Sequence, residues 1–245
     1  MITEFIKDKV YYKVFDLTHK DLSYIYNKHK YTSDAAKLAE IERNLHIVKE
    51  QYKANEILVL NQTHSAIVVN GCDINCTTNP LGDASITKKS GLVLAIQTAD
   101  CVPVLFSCAS GAVIGASHCG WRSAKKDIIK ETVEMMKAQG AQDIKAIIGP
   151  SILQASYEVD SNYYKSFLDE NRDYANFFVE SSKDGHYRFD LPAFVKYKLL
   201  ASGIKLFDHI AEDTYLNPAK YPSYRRSFHA GEKYSQNILS TIMIR

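Results

Sequence analysis

The 245-residue chain predicts a layered fold of mixed helices and strands, α/β or α+β in class, on three observations. Short apolar runs of strand character are interleaved with segments of helical periodicity. No low-complexity tract, Pro/Gly/Ser-rich linker or internal repeat interrupts the chain, so residues 1–245 read as a single domain. Hydrophobic residues at 46% and charged residues at 24% are the proportions of a globular protein with a substantial core.

The elements follow in order. Leu38, Ile41, Leu45 and Val48 recur at helical spacing and predict a helix from Asp34 to Lys53. Ile57 to Leu60 is a short strand-like run that delivers Asn61-Gln62-Thr63-His64 at its end. Leu92 to Ile96 and Val102 to Phe106 are strand material on either side of Gln97-Thr98-Ala99-Asp100-Cys101. Pro103 cannot donate to a sheet ladder, so a break, bulge or sheet edge is expected near Cys101. Ala112 to Ala116 is the next strand, running into Ser117-His118-Cys119-Gly120-Trp121-Arg122. Ser123 is the expected N-cap of a helix that buries Ile128, Ile129, Val133 and Met136 and is capped at its other end by Gly140. Ile144 to Ile148 is a further strand closed by Gly149-Pro150, and Tyr163 to Leu168 and Leu191 to Ser202 read as helices, the second stopped by Gly203.

Thirty Lys and Arg against 28 Asp and Glu leave a net charge of +2 with no clustered basic block, which argues against a nucleic-acid or anionic-membrane partner. The first residues are charged and carry no apolar leader, and the apolar stretch from Gly91 to Phe106 is broken by Gln97, Thr98 and Asp100. Neither secretion nor a membrane span is expected. Five cysteines, at 72, 76, 101, 108 and 119, are an odd number without framework spacing, as in thiols kept reduced in cytoplasm.

His64, Cys101 and His118 each fall at or beside the end of a strand-like run, where three ligands could converge at one rim of a sheet. Two imidazoles and a thiolate suit zinc and leave a fourth tetrahedral position for water or substrate. Their spacing matches no zinc-finger pattern, and a lone His or Cys is more often packed or at the surface, so the residues alone leave both readings open.

Several words of the sequence carry a resemblance: Asn61-Gln62-Thr63-His64, Gly82-Asp83-Ala84 with Thr87, Thr98-Ala99-Asp100-Cys101-Val102-Pro103-Val104-Leu105, His118-Cys119-Gly120-Trp121-Arg122, Ile148-Gly149-Pro150-Ser151-Ile152, Tyr157-Glu158-Val159, Phe189-Asp190-Leu191 and Ser223-Tyr224-Arg225-Arg226. In this order they resemble the YfiH family, described variously as laccase-like polyphenol oxidase and as purine nucleoside phosphorylase. The resemblance implies a layered α-β-β-α sandwich with a metal held by His64, Cys101 and His118. It implies phosphorolysis of adenosine, inosine and methylthioadenosine, and adenosine deamination. The chain departs from the family pattern between Lys13 and Ser33, where the usual Gly-rich and Ser-Leu-Asn words are not evident. It departs again at Asp213-Thr214, in place of Cys-Thr, and at Gly231-Glu232, in place of Gly-Arg, where the missing Arg would weaken anion binding.

These activities ask for different residues. A multicopper oxidase needs His-x-His pairs to feed its copper cluster, and none occurs among the eight histidines, so copper-dependent oxidation ranks as secondary chemistry although the His2Cys trio could bind Cu2+. The His-x-Glu and Pro-Cys-x-x-Cys words of nucleobase deaminases are absent as well. Asp83 or Asp100 could replace their carboxylate, with Asp100 favoured for a supporting role. Phosphorolysis requires phosphate as co-substrate, and Arg122, just before the expected helix start at Ser123, is the first choice to hold it. Arg225 and Arg226 are further candidates that read equally as surface ion-pairing residues, and Trp121 either stacks a purine or packs. Cys72 and Cys76 read as unrelated thiols.

A zinc-dependent purine nucleoside phosphorylase acting on small-molecule purine nucleosides is the leading reading. Its main rival makes Cys101 a nucleophile with His118 as base, giving a thiol hydrolase or amidase, since the family's fold resembles that of cysteine-dependent toxin deamidases. A third reading is a metal- or redox-sensing partner protein.

Overall fold

The computed structural model describes residues 2–19, 35–75, 79–233 and 236–245. The chain opens with β1 (Thr3–Ile6), β2 (Val10–Phe15), α1 (Ala35–Tyr52), β3 (Glu56–Val59), β4 (Val68–Asn70) and β5 (Ala84–Thr87). Then come β6 (Leu92–Thr98), β7 (Val102–Ser107), β8 (Ile114–Cys119), α2 (Trp121–Lys125), α3 (Ile128–Ala138) and β9 (Lys145–Ile148). It continues through β10 (Glu158–Asp160), α4 (Ser161–Leu168), β11 (Phe178–Glu180), β12 (His186–Phe189), α5 (Leu191–Ala201), β13 (Lys205–His209), α6 (Tyr224–Ala230) and β14 (Ile238–Ile244).

Two mixed sheets, ordered β1-β2-β14-β6-β3 and β13-β9-β7-β8-β5-β4, face each other, and a small sheet β10-β12-β11 lies beside them. Leu58, Leu94, Ile96 and Ile242 of the first sheet meet Leu105, Ile114, Ala116 and Ile147 of the second in a dry layer. Burying one such side chain contributes about 1.5–3 kcal/mol. α1 covers the outer face of the first sheet by packing Val48 and Tyr52 on Val93, Ala95 and Leu239. On the outer face of the second, Ile129, Val133 and Met136 of α3 and Phe194 and Val195 of α5 pack against Val104 and Phe106. The result is the expected α-β-β-α layering. β6 and β7 are buried along their whole lengths, which is why they read in sequence as apolar runs and not as alternating strands.

The irregularity expected near Cys101 is a crossover. β6 belongs to the first sheet and β7 to the second, and the chain passes between them through Asp100 at φ 83°. Pro103 is nevertheless in an interior strand and not at an edge. Its carbonyl accepts from the N–H of Gly149 at 2.9 Å, so its own nitrogen faces the side where β9 has already ended at Ile148, and no ladder bond is lost.

Two further expectations are corrected. β8 continues past Ala116 to Cys119, because neighbours on both sides, β5 and β7, keep pairing with it as far as Ser117 and Cys119 respectively. Ser123 is not an N-cap: α2 starts at Trp121 behind Gly120, and the Ser123 hydroxyl donates back to the carbonyls of His118 at 2.8 Å and Gly120 at 3.1 Å. The helix then breaks at Asp127, φ 62°, and restarts as α3. Gly140 and Gly203 take the left-handed position that ends α3 and α5, at φ 90° and 76°. α4 begins at Ser161, two residues before the sequence pattern suggests, because the Asp160 carboxylate accepts the N–H of Tyr163 at 2.8 Å and caps it. Among the described residues no helix is long and apolar enough to cross a membrane.

Candidate metal centre and substrate cavity

The centre lies where the two large sheets end together. His118 shares the inter-sheet face of β8 with Ile114 and Ala116, since alternate strand residues point the same way. Cys101 sits in the crossover before β7, and His64 in the loop after β3. One imidazole nitrogen from each histidine and the Cys101 sulfur lie within 4.8 Å of one another.

Asp83 holds this arrangement. Fully buried ahead of β5, it accepts the backbone N–H groups of Thr63, His64 and Ser65 at 3.1, 3.0 and 2.6 Å and the Ser65 hydroxyl at 2.7 Å. Its Oδ1 also lies 2.8 Å from Nδ1 of His118. Burial opposes ionisation of Asp83, but the His118 and Ser65 bonds outweigh it and hold the carboxyl well below the usual range. An ionised carboxylate only accepts, so Nδ1 of His118 carries the proton and Nε2 is the atom left for the centre. Burial likewise works against a charged His118, yet the Cys101 sulfur and Asp83 raise it to about 9. His64 goes the other way, pushed down to about 4 by burial and then by His118, with Arg122 and Lys126 adding to the effect. The Asp83 bonds also fix His64 at φ 57°, where a residue with a side chain is uncommon.

A metal fits these residues. Nδ1 of His64 is buried without a hydrogen-bond partner among the described residues, as a nitrogen kept for a cation would be. A Cβ on Gly120 would come within 2.5 Å of that nitrogen and 3.1 Å of Sγ of Cys101, so glycine keeps the space between the donors open. Two imidazoles and a thiolate suit zinc, and also copper.

The centre opens into a cavity of about 590 Å³, within the range of small-molecule sites. Of the residues expected at the site, His64, Cys101, His118, Trp121, Arg122 and Arg225 line it. The Arg122 guanidinium lies 4.1 Å over the Trp121 ring and makes no hydrogen bond among the described residues. Trp121 also packs on Tyr163 at 4.8 Å and joins the core of the second sheet, so it is partly a packing residue. Arg225 is more tightly held: its N–H donates to Asp100 at 2.7 Å, and its guanidinium donates to the Glu158 carbonyl and lies over Tyr157.

Arg226 does not line the cavity. Its guanidinium donates to the carbonyls of Thr214, Tyr215 and Tyr221 at 2.7, 2.8 and 2.6 Å, tying together the segment before α6. Asp100 has the supporting role expected of it, accepting Thr214 Oγ1 at 2.7 Å and Ser223 Oγ at 2.9 Å besides Arg225. Neither Asp213 nor Glu232, where the sequence departs from the family words, lines the cavity. Cys119 points away into the core of the second sheet, where burial pushes its thiol well up. Cys72 lies beside Thr87, and Cys76 is outside the described residues. Sequence reasoning missed Gln97, Thr98 and Asn237 as cavity residues. For Gln97 and Thr98 the signal is the polar break in the otherwise apolar run from Gly91 to Phe106; Asn237, just before β14, carries no such signal.

A family model described as multi-copper polyphenol oxidoreductase laccase matches residues 25–244. Purine nucleoside phosphorylase RC0672 of Rickettsia conorii is 46% identical over 240 residues, 98% of each chain, and RP494 of Rickettsia prowazekii, of the same name, matches to the same extent. Adenosine deaminase RL5, from an unknown prokaryotic organism, is 31% identical over 58% of this chain and 55% of its own. Among solved structures, protein NMB0706 of Neisseria meningitidis superposes with a TM-score of 0.80 at 24% identity, over 100% of this chain and 98% of that one. Protein YfiH of Bacillus licheniformis gives 0.74 at 22% identity, over 84% and 82%. With the family match spanning nearly all of a chain that folds as these proteins do, the protein belongs to the YfiH family, the multi-copper polyphenol oxidoreductase laccase family.

Proposed function

We propose that this protein is a purine nucleoside phosphorylase that uses a metal at His64, Cys101 and His118 and takes adenosine, inosine or methylthioadenosine with phosphate. The observation that carries this reading is one cavity combining a His2Cys cradle with two arginines, in a chain aligned end to end with relatives named purine nucleoside phosphorylase. In the reaction an oxygen of hydrogen phosphate forms a bond to C1′ of the ribose while the C1′–N9 bond breaks, and the base leaves carrying the proton that the phosphate gives up. Arg122 has its guanidinium donors available for the incoming anion and Arg225 adds a second, anchored cation. Asp83 keeps the proton on Nδ1 of His118 and so fixes the ring. The walls of the cavity hold the two reactants together and limit access of competing water. Zinc bound by the three ligands would supply Lewis-acid polarisation of a substrate oxygen.

Adenosine deamination and oxidation rank behind this reading. Asp83 is saturated by five protein donors and Asp100 by three, so neither carboxylate is left to shuttle a proton to a base. One contact favours a second reading: Cys101 is hydrogen-bonded to His118, which Asp83 orients, as in a nucleophile-base-carboxylate relay. That relay gives no role to His64 or to the space kept by Gly120, and it predicts alkylation of Cys101 in the protein as purified, without chelation.

The test is a nucleoside panel incubated with and without phosphate, products separated by chromatography and metal assayed on the same sample. Base is expected only with phosphate, and about one zinc per chain. Arg122→Ala should lower kcat/KM about 10–100-fold, the worth of hydrogen bonds to a charged group, at unchanged Tm. Arg226→Ala should instead destabilise the fold by about 2–4 kcal/mol, having left three carbonyls unpaired. Equal base release without phosphate would replace phosphorolysis by hydrolysis, and parent-like constants for Arg122→Ala would remove it from the site.

A further inference from the structure

Six buried side-chain atoms among the described residues have no hydrogen-bond partner, and two of them belong to residues lining the cavity: Nδ1 of His64 and Oγ1 of Thr98. The first is explained by the metal cradle. The second is not explained by anything in the fold. Thr98 is 2% exposed, and an unpaired hydroxyl at that depth costs about 1–3 kcal/mol unless something satisfies it.

Its position says what that partner is. Thr98 is the last residue of β6, and alternation puts its side chain on the inter-sheet face with Leu94 and Ile96. His118 reaches the same inter-sheet space from the second sheet, and Cys101 follows Thr98 by three residues. Thr98 therefore borders the part of the cavity that holds the cradle and the reacting centre. Gln97 points to the other face of β6, where its Oε1 accepts from Asn237 Nδ2 at 3.4 Å, so the carboxamides lie away from that centre. A neutral hydroxyl that can both donate and accept suits a sugar hydroxyl, whereas the charged phosphate is matched by the arginines.

We infer that Thr98 is a substrate-positioning residue that hydrogen-bonds the 2′- or 3′-hydroxyl of the nucleoside ribose and so selects ribose over the matching deoxyribose substrate. The inference rests on the phosphorylase reading for its substrate class. The mechanism of selection is the ordinary one for a buried polar group: a substrate lacking the partner hydroxyl leaves Thr98 unpaired in the complex as well.

Thr98→Val keeps the shape and removes the hydroxyl, and Thr98→Ser restores it. Kinetics with inosine, 2′-deoxyinosine and 3′-deoxyinosine, with Tm measured alongside, form the test. Thr98→Val should lose about 10-fold or more in kcat/KM on inosine, Thr98→Ser should recover most of it, and the loss should vanish on the one deoxynucleoside that lacks the partner hydroxyl. Tm of Thr98→Val should stay level or rise, because an unpaired buried hydroxyl has been replaced by a methyl group; a fall in Tm would mark the hydroxyl as structural and overturn the inference. A loss of equal size on all three nucleosides would overturn it too, because the contact would then be with neither the 2′- nor the 3′-hydroxyl. Should the wild type release no base from any nucleoside, the phosphorylase reading fails by itself. Calorimetric binding of inosine and the two deoxyinosines to wild type and Thr98→Val then decides: a preference for inosine abolished by the substitution upholds the contact, and equal affinities or no binding overturn it.

Discussion

Gly120 shows how much of the site depends on a side chain that is missing. Its backbone, φ −69° and ψ 162°, is one that any residue adopts, so alanine there would carry no conformational strain. The obstacle is steric alone, a methyl group 2.5 Å from Nδ1 of His64 and 2.8 Å from Cε1. Gly120→Ala should therefore fold with a circular dichroism spectrum like the parent's but hold less than about a tenth of its zinc by elemental analysis, since moving one ligand breaks a three-ligand site. A parent-like zinc content would mean that the donors do not converge where Gly120 leaves room. The convergence of His64, Cys101 and His118 was legible in sequence because each sits at a strand end beside a distinctive word. Asp83, which holds both histidines in place, was only weakly legible: nothing in Gly82-Asp83-Ala84 shows that its carboxylate will gather three backbone N–H groups and an imidazole from distant parts of the chain. Arg225 and Arg226 illustrate the same limit, being adjacent and chemically identical, while the cap formed by Ser223 turns one into the cavity and the other onto three carbonyls.

At the scale of elements, the mouth of the cavity exists because β3 stops early. β3 pairs with β6 only as far as Val59 against Ala95, and the chain then leaves to carry His64 to the centre. Gln97, two residues further along β6, would be left with an unpaired N–H and C=O on that side. The Gln62 side chain replaces the missing strand: its Oε1 accepts from the Gln97 N–H at 2.9 Å and its Nε2 donates to the Gln97 carbonyl at 2.7 Å. Gln62→Leu, which removes both bonds and strands two backbone groups, should cost about 2–3 kcal/mol in denaturant unfolding. A loss below about half a kcal/mol would mean that water or a neighbour substitutes for it. The helices α1 and α5 and the strands β3, β6, β7 and β9 could be read from apolar runs and periodicity. The edge strands β1, β4 and β13 and the small sheet β10-β12-β11 could not, since short, half-exposed strands carry few apolar residues and owe their form to their neighbours. The sequence makes β8 look too short because Ser117 and His118 resemble loop residues, although the Ser117 hydroxyl is buried against Thr132 at 2.8 Å.

For the molecule as a whole, the centre lies at the junction of the layers, and a metal bound there would clasp them together. His64 follows a strand of the first sheet, His118 belongs to a strand of the second, and Cys101 lies in the segment that crosses from one to the other. An ion bound by all three exists only when the sheets are correctly stacked, so its binding free energy adds to the stability of the whole sandwich. At a free metal concentration about 100 times the dissociation constant this amounts to about 2.7 kcal/mol, which for a chain of this size raises Tm by about 5–10 °C. A strong chelator should lower Tm by that amount, added zinc should restore it, and His64→Ala should melt at the chelated temperature with or without zinc. The same samples separate the metal reading from the thiol hydrolase. Cys108 and Cys119 are buried, so of the thiols described only Cys72 and Cys101 are open to iodoacetamide, and peptide mass mapping should find Cys101 labelled after chelation and protected when zinc is present. If instead Cys101 reacts at the same rate in both samples and Tm does not move, its sulfur is not a ligand, and the contact with His118 and Asp83 becomes the better guide to what this centre does.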